Sequence, residues 1–241
     1  MILTRNDQVF TVSDFIKDNK FNYGFYSRDD GDNFRTYDVD GKKVPSVTTI
    51  LTTTQSKEKK QGLQRWRDRI GHEEAARITS QAATRGTEMH YVLEQYMNGQ
   101  GYFNLSKDGS LPRMMAHTII ENLQDLSRVY GTEVSLAYKD QWAGSSDLIC
   151  EYANKPTIAD FKQSNKPKRE EWIEDYFYQI GAYSLAHKLQ YGDIRQGLIL
   201  ICTKDLVFQK YVMSETMLKE YEDKWLEKMQ DFRKIMKKTS S

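Results

Sequence analysis

Asp160 and Lys162 have residue types and a spacing that suit phosphodiester chemistry. They lie two positions apart at the end of a segment predicted to be a buried β-strand, so both side chains face the same way. A carboxylate binds a hard divalent cation, and a neighbouring lysine can orient water or stabilise charge on a phosphate. The same spacing elsewhere in the chain falls in predicted loops and exposed helices, where a surface ion pair is the ordinary interpretation.

Asp147 is a second acid in a comparable position, within Ala-Gly-Ser-Ser-Asp-Leu-Ile-Cys. It precedes an apolar stretch on the strand that we predict to pair with residues 157–162. An acid beside a buried strand is costly unless its charge is compensated, which a metal ion can do, whereas a carboxylate in water at a strand end needs no such partner. Two acids and a lysine on adjacent strands form a known type of site for phosphodiester hydrolysis.

Two helical pairs supply further polar candidates. His90 and Glu94 are four residues apart on one predicted helix face, and Gln179 and Tyr183 are four apart on another. A nitrogen ligand beside carboxylates would shift the metal preference towards manganese. Satisfied surface or boundary residues remain the alternative for each pair.

The elements that position these residues follow from periodicity. We predict two or three helices in 57–98, broken near Gly71 and Gly86, and a helix over 112–129. Three strands follow at 133–138, 146–152 and 157–162, with a turn at Lys155-Pro156. Residues 170–190 return to helix, 197–203 and 206–213 are strands, and a long helix follows the N-cap Ser214. This order predicts an α/β fold with a central mixed β-sheet flanked by helices.

The first 44 residues form a predicted N-terminal appendage with a hairpin at Asp40-Gly41, and residues 45–241 form the main domain. The chain has 241 residues and a net charge of +1, and we expect a cytoplasmic protein without a membrane span or signal peptide. Cys150 and Cys202 lie in apolar runs and are expected to be reduced and buried, and two cysteines cannot hold a cysteine-only iron–sulfur cluster.

Basic residues crowd in two segments, 57–69 and 162–169. Solvated helix faces explain most such runs, but position beside a catalytic site would make them a path for phosphates. The predicted DNA contacts in these segments are Arg65, Trp66, Arg69, Lys166 and Lys168.

In combination, the motifs resemble the RecB-type exonucleases of the PD-(D/E)XK nuclease superfamily, which have a restriction-endonuclease-like core. The resemblance is strongest to the small phage and bacterial members and those akin to the mitochondrial genome-maintenance exonucleases. It extends over residues 45–203. The matching segments are, in order, Pro45-Ser-Val-Thr-Thr-Ile-Leu, Trp66 with Gly71, Arg85-Gly-Thr-Glu-Met-His90-Tyr-Val-Leu-Glu94, Glu133, Ala143-Gly-Ser-Ser-Asp147, Ile158-Ala-Asp160-Phe-Lys162 and Gln179-Ile-Gly-Ala-Tyr183.

The resemblance implies a role for each matching position. His90, Asp147, Asp160 and the Phe161 carbonyl would bind Mg²⁺ or Mn²⁺, and Lys162 would position the attacking water. Glu94 and Glu133 would support the site, while Arg85, Gln179 and Tyr183 would hold the motif or contact DNA. Ser146 replaces the proline of the superfamily motif, and the cysteines that bind an iron–sulfur cluster in some relatives are missing, so we expect no such cluster.

We therefore expect a metal-dependent DNA exonuclease acting on free ends of single-stranded DNA, in recombination, repair or replication, in a bacterial or phage-infected cell. Recombination or replication proteins would be its partners. A duplex-resecting exonuclease, a non-catalytic DNA-binding protein on a nuclease fold and an RNA- or nucleotide-directed phosphohydrolase are the alternatives. The sequence leaves open the polarity of digestion, exo versus endo action, the number of metal ions, the oligomeric state and the role of residues 1–44.

Overall fold

The computed structural model describes residues 2–5, 8–11, 15–31, 34–100, 102–103 and 110–239. The strands in this part of the chain are β1 (Ile2–Arg5), β2 (Gln8–Thr11), β3 (Ile16–Lys17), β4 (Arg28–Asp30), β5 (Arg35–Val39), β6 (Lys42–Pro45), β7 (Tyr102–Phe103), β8 (Leu126–Tyr138), β9 (Trp142–Tyr152), β10 (Lys155–Ser164), β11 (Gln196–Thr203) and β12 (Phe208–Met213). The helices are α1 (Val47–Thr53), α2 (Lys57–Ile70), α3 (His72–Met97), α4 (Leu111–Ile120), α5 (Glu174–Gln190) and α6 (Glu215–Thr239), with a short 3₁₀ helix at Glu170–Trp172.

A six-stranded mixed sheet forms the centre of the fold, in the order β12-β11-β10-β9-β8-β3. β10 and β11 are parallel and joined through α5, whereas β8, β9 and β10 are successive antiparallel neighbours. The predicted mixed sheet flanked by helices is thus confirmed. Two smaller sheets, β1-β2-β7 and β4-β5-β6, complete the described strands.

Apolar side chains cover both faces of the central sheet. On one face Ile149, Ile158 and Ile199 pack with residues of α1, α5 and α6, and on the other Leu148, Ala159 and Leu198 pack with α3 and α4. The alternation follows from the two-residue period of a strand, because neighbouring side chains point to opposite faces. No helix in the described part of the chain is long and apolar enough to cross a membrane.

A close contact between α5 and α6 depends on Gly181. A Cβ atom added there would lie 2.7 Å from the backbone oxygen of Tyr221. Only a residue without a side chain therefore lets the two helix backbones approach this closely. The predicted long terminal helix is confirmed as α6, and Ser214 caps it by accepting a hydrogen bond from the amide of Met217.

Several predicted boundaries were wrong. The break at Gly71 is confirmed, but α3 runs through Gly86 because the glycine keeps helical geometry where Gln163 packs against it. The helix predicted over 112–129 ends at Ile120, since residues 126–129 join the long strand β8. The turn before β10 is made by Ala153 and Asn154, both with positive φ, and not by Lys155-Pro156.

The predicted hairpin at Asp40-Gly41 is confirmed between β5 and β6. Asp40 and Gly41 have φ values of 53° and 80°, the pair of positive angles that a tight two-residue hairpin turn requires. The hairpin packs through Val39 and Val44 against Ala143 of β9, so it is connected to the central sheet.

Candidate active site

Asp160 and Lys162 lie on the central strand β10, with their side chains on the face covered by α5. Asp160 is only 1% exposed, and its Oδ2 atom forms an ion pair with the Lys162 ammonium group. The Lys162 Nζ atom also lies 5.1 Å from the centre of the Tyr176 ring on α5. The Oδ1 atom of Asp160 is buried and has no hydrogen-bond partner among the described residues. A buried carboxylate oxygen without a partner is costly and has the chemistry of a metal ligand.

Asp147 lies on β9, where the ladder between β9 and β10 ends. The last paired residues are Leu148 and Ala159, so Asp147 and Asp160 occupy the next opposing positions. The Asp147 Oδ2 atom accepts a hydrogen bond of 2.7 Å from the amide of Phe161. The Phe161 amide is therefore bonded to the Asp147 side chain and not to the backbone of β9. The carboxylates of Asp147 and Asp160 lie opposite each other where the two strands separate.

His90 and Glu133 bring their side chains to Asp147 from α3 and β8. One ligand atom from each of these three residues lies within 4.8 Å of the others, the spacing needed to share a metal ion. The Nδ1 atom of His90 is 3.6 Å from the Asp147 Oδ1 atom, and the His90 ring also bonds to the backbone of Phe161. Asp160 lies outside this group of three and is paired with Lys162 instead.

The backbone at Glu133 is in an unusual conformation. Its φ of 48° lies in the left-handed region, which a residue with a side chain adopts at a cost of about 1–3 kcal/mol. Its Oε2 atom accepts a hydrogen bond of 2.9 Å from the Ser145 hydroxyl. Strain of this kind concentrates at functional sites, and here it accompanies a carboxylate placed beside Asp147.

Two acidic groups of the site, Asp147 and Glu133, have raised pKa values. Burial, reinforced by the charge of Asp160, raises the pKa of Asp147 to about 7. Burial and the nearby Asp147 likewise raise the pKa of Glu133. Protein alone is therefore a poor environment for these negative charges, and a divalent cation would relieve the repulsion.

The two basic groups have opposite shifts. Burial and the charge of Lys162 lower the pKa of His90, which favours the neutral imidazole that binds metals. Burial alone would lower the pKa of Lys162, but the carboxylates of Asp160 and Asp147 outweigh it and raise that pKa. Lys162 is consequently a permanent positive charge at the site.

A cavity of about 540 Å³ opens beside His90, Glu133 and Asp147, but Asp160 and Lys162 are not among its lining residues. It is lined by His90, Glu94, Glu133, Asp147, Gln179 and Tyr183, six of the positions selected from the sequence. The Gln179 side chain donates a hydrogen bond of 3.2 Å to the Tyr183 hydroxyl, and a Cβ at Gly144 would lie 2.7 Å from the Tyr183 ring. Gly144 thus allows the α5 residues to pack closely beside the strand that carries Asp147.

Arg85 is not among the residues that line this cavity. Its guanidinium group donates to the Gln163 side chain at 2.9 and 2.6 Å and to the Asn165 side chain at 2.5 Å. These contacts fasten α3 to the end of β10, one turn before His90.

The chain is similar to three curated proteins described as mitochondrial genome maintenance exonuclease 1. The identity is 28% over 211 residues for the mouse protein, 26% over 201 for the human protein and 28% over 204 for the Xenopus tropicalis protein. These alignments cover 82%, 78% and 79% of this chain, and 61%, 58% and 58% of the respective relatives. The chain therefore spans about six tenths of the length of the curated relatives that it matches.

No family model matches the chain. Among solved structures, the crystal structure of SSO0001 aligns with 76% of this chain and 75% of its own, at a TM-score of 0.40 and 14% identity. A likeness at this level supports no conclusion about function.

The predicted DNA contacts fall on two separate surfaces. Lys166 and Lys168 line a groove of about 390 Å³ with Trp172 and Tyr176, beside the end of β10. Trp172 is 56% exposed, and the backbone of Lys168 is held to β12 by both polar ends of the Gln209 side chain. This groove offers positive charges and an exposed aromatic ring close to Lys162, through the shared neighbour Tyr176.

Arg65, Trp66 and Arg69 lie on α2, away from the sheet. Both arginines are exposed and Trp66 is half-buried, and no residue of α2 is buried. Sequence reasoning overlooked Arg28 and Arg35, which line the same cavity as Asp147. Their signal in the sequence was the alternation of Arg35 and Tyr37 on a predicted hairpin strand, which indicates a shared face but not what that face meets.

Proposed function

We propose that this protein is a Mg²⁺- or Mn²⁺-dependent deoxyribonuclease of the PD-(D/E)XK type that digests single-stranded DNA from a free end. The observation that carries the proposal is the placement of Asp147 and Asp160 opposite each other where β9 and β10 separate, with Lys162 held against Asp160. The similarity to proteins described as genome maintenance exonucleases supports the same reaction class. A role in DNA recombination, repair or replication accords with that description.

The residues present fit a divalent metal ion. Asp147, Asp160, Glu133 and the Phe161 carbonyl offer oxygen atoms, and His90 offers a nitrogen, a donor set that suits Mg²⁺ or Mn²⁺. The unpartnered Oδ1 atom of Asp160 and the raised pKa of Asp147 both indicate missing positive charge. When bound there, the ion would make water a better nucleophile and neutralise charge developing on the phosphate.

The chain's own residues would orient the reaction. Lys162 supplies a fixed positive charge, and its contacts with Asp160 and Tyr176 restrict the position of the ammonium group. The Phe161 amide holds one oxygen of Asp147, so the carboxylate keeps a defined direction. Glu94 lines the cavity one helical turn from His90, where it adds negative charge near the metal ligands.

Two surfaces near the site support single-stranded DNA, and not a rigid duplex, as the proposed substrate. Lys166, Lys168 and the exposed Trp172 combine phosphate-binding charge with a ring on which an unpaired base can stack. The arginines of α2 provide a second basic surface for the same strand. These contacts are made with the phosphate backbone and with the faces of the bases, which all sequences share. The activity should therefore be independent of DNA sequence.

A cleavage assay tests this proposal. End-labelled DNA, single-stranded or duplex and linear or circular, is incubated with Mg²⁺, Mn²⁺ or EDTA. The wild type should degrade linear single strands only with metal, while Lys162→Ala should be inactive. Lys155→Ala is the matched control, because Lys155 is exposed at the opposite end of the same strand.

Each other result has a distinct meaning. Preferential digestion of duplex ends would replace the single-strand assignment with duplex resection. Equal hydrolysis of RNA or free nucleotides would show that the activity is not specific for DNA. Folded wild-type protein that binds DNA but cuts none of these substrates would overturn the enzyme assignment in favour of a DNA-binding module.

A further inference from the structure

The small sheet β4-β5-β6 gathers two arginines on one face. Arg28 of β4 lies opposite Tyr37 of β5, and Asp30 lies opposite Arg35. Since alternate and directly opposed residues share a face, these four side chains lie on the same side of the sheet. Lys43 lies opposite Asp38 in the strand register, so its side chain is on the other side of the sheet.

This face is fixed to the part of the fold that carries the candidate metal ligands. The carbonyl oxygen of Arg35 accepts hydrogen bonds of 2.9 Å from the Ser46 amide and 3.0 Å from the Thr49 hydroxyl. Tyr37 is buried against Ala143 of β9, four residues before Asp147. The two arginines are therefore held in a defined position relative to Asp147.

Arg28 and Arg35 line the same 540 Å³ cavity as His90, Glu133 and Asp147. The cavity thus contains guanidinium groups as well as carboxylates. A phosphodiester bound to a cation among the carboxylates would still carry negative charge on its neighbouring phosphates. Guanidinium groups are the side chains best suited to bind those phosphates through paired hydrogen bonds.

The two guanidinium groups already converge on a single carboxylate. Asp30 receives Arg28 Nη2 at 2.9 Å and Arg35 Nε at 2.5 Å. Each guanidinium has five N–H donors, so most donors remain for another anion. The Arg28 and Arg35 side chains are 49% and 41% exposed, which leaves them accessible to a ligand in the cavity.

We propose that Arg28 and Arg35 form a phosphate-binding subsite that holds the DNA backbone beside the bond to be cleaved. The first 44 residues would then contribute directly to substrate binding. This proposal rests on the proposed function, since the phosphate is that of the same DNA strand. Asp30 orients the two guanidinium groups.

The test compares Arg28→Gln/Arg35→Gln with Lys42→Gln/Lys43→Gln. Both double variants remove two positive charges from the same small sheet. Lys42 and Lys43 form ion pairs with Asp140 and Asp29, respectively, and neither lysine lines the cavity. Three quantities are measured: affinity for a short single-stranded oligodeoxynucleotide by fluorescence anisotropy, its dependence on salt, and Mn²⁺ affinity by calorimetry.

The arginine variant should bind the oligonucleotide at least about tenfold more weakly, and the salt slope should fall by about 0.7 per lost phosphate contact, or about 1.4 in total. Mn²⁺ affinity and thermal stability should match the wild type, and Arg28→Lys/Arg35→Lys should restore part of the binding. The lysine control should show little change. Equal effects of the two double variants, or a parallel loss of Mn²⁺ affinity, would overturn the subsite.

Failure of the proposed function is distinguishable from failure of the subsite. If the wild type cuts no DNA but the arginine variant still loses salt-dependent binding, the subsite stands and the nuclease assignment does not. If the wild type cleaves DNA and the arginine variant binds and cuts equally well, the reverse holds.

Discussion

The two halves of helix α3 differ in what surrounds them. Between His72 and Glu88 only Ala75 is buried, whereas Met89, Leu93, Tyr96 and Met97 in the second half are all buried against the sheet. The first half packs beside α2, which has no buried residue at all. His90 and Glu94 lie where the helix enters the core, so the candidate chemistry sits at the boundary between a rigid region and an exposed arm, defined here as residues 57–88.

This difference in burial suggests different tasks for the two regions: the core positions the candidate catalytic groups, and the arm binds substrate in the proposed function. Side chains fixed in the core can hold charges at short distances, because packing on all sides restricts their movement. The arm has charges in abundance but little apolar burial, so it is suited to contacts with a long flexible strand. Variants in the core should therefore change the rate of cleavage or the stability, and variants in the arm should change affinity.

The largest expected effect is at the strand pair. Asp160→Asn removes a buried charge beside Lys162, and cleavage with Mg²⁺ or Mn²⁺ should fall on the order of 10³-fold, as for the loss of a central electrostatic group. Circular dichroism should show a folded protein. Asp140→Asn, an exposed acid of the β8–β9 turn, is the control and should cleave normally. Activity retained within about tenfold in Asp160→Asn would contradict the assignment.

A smaller effect is expected for the arm. Arg65→Gln/Arg69→Gln should raise KM for single-stranded DNA about tenfold with little change in kcat, since each lost phosphate contact weakens binding without touching the reacting atoms. Arg77→Gln is matched to it, because Arg77 is on the same arm but is engaged by Glu74. A selective fall in kcat would place the arm arginines in the chemical step instead.

Two glycines test the same comparison through stability. Gly181→Ala should lower the free energy of unfolding by about 1–3 kcal/mol, because its Cβ would collide with the backbone of α6. Gly62→Ala on the arm should raise it by about 1 kcal/mol, since the new methyl group has room and alanine favours the helix. Denaturant melts measure both. The same sign for the two variants would refute the contrast.

The smallest effect concerns a buried histidine remote from the site. His187 Nδ1 faces the Gly192 carbonyl at 2.8 Å, so it carries the proton, and Nε2 accepts from the Tyr23 hydroxyl at 3.0 Å. Burial lowers the pKa of His187, and Lys20 adds to the shift, while the Gly192 carbonyl opposes it. The unfolded chain therefore binds a proton at a higher pH than the folded one does.

Stability should consequently fall as pH drops below about 6.5, the ordinary histidine pKa, until the lowered folded pKa is passed. His187→Gln should flatten this part of the stability profile by up to about 1.4 kcal/mol per pH unit. His72→Gln, at an exposed position of the arm, is the control. Identical slopes in denaturant melts of the wild type and His187→Gln would contradict the prediction.

The sequence by itself determined much of the framework. Alternation and apolar runs predicted the strands that carry Asp147 and Asp160, and the stripe along α6 predicted its burial. Such patterns suffice because strand and helix periods are local properties of the chain. The motif order also selected six side chains that line one cavity, although they come from four different elements.

Only the tertiary structure decided which side chains meet. It placed Glu133 with His90 and Asp147, paired Asp160 with Lys162, and brought Arg28 and Arg35 from the N-terminal strands into the cavity. It also showed that the basic residues of α2 have no core beneath them. Local periodicity carries no information about contacts between distant segments, which arise from register, twist and the packing of one layer on another.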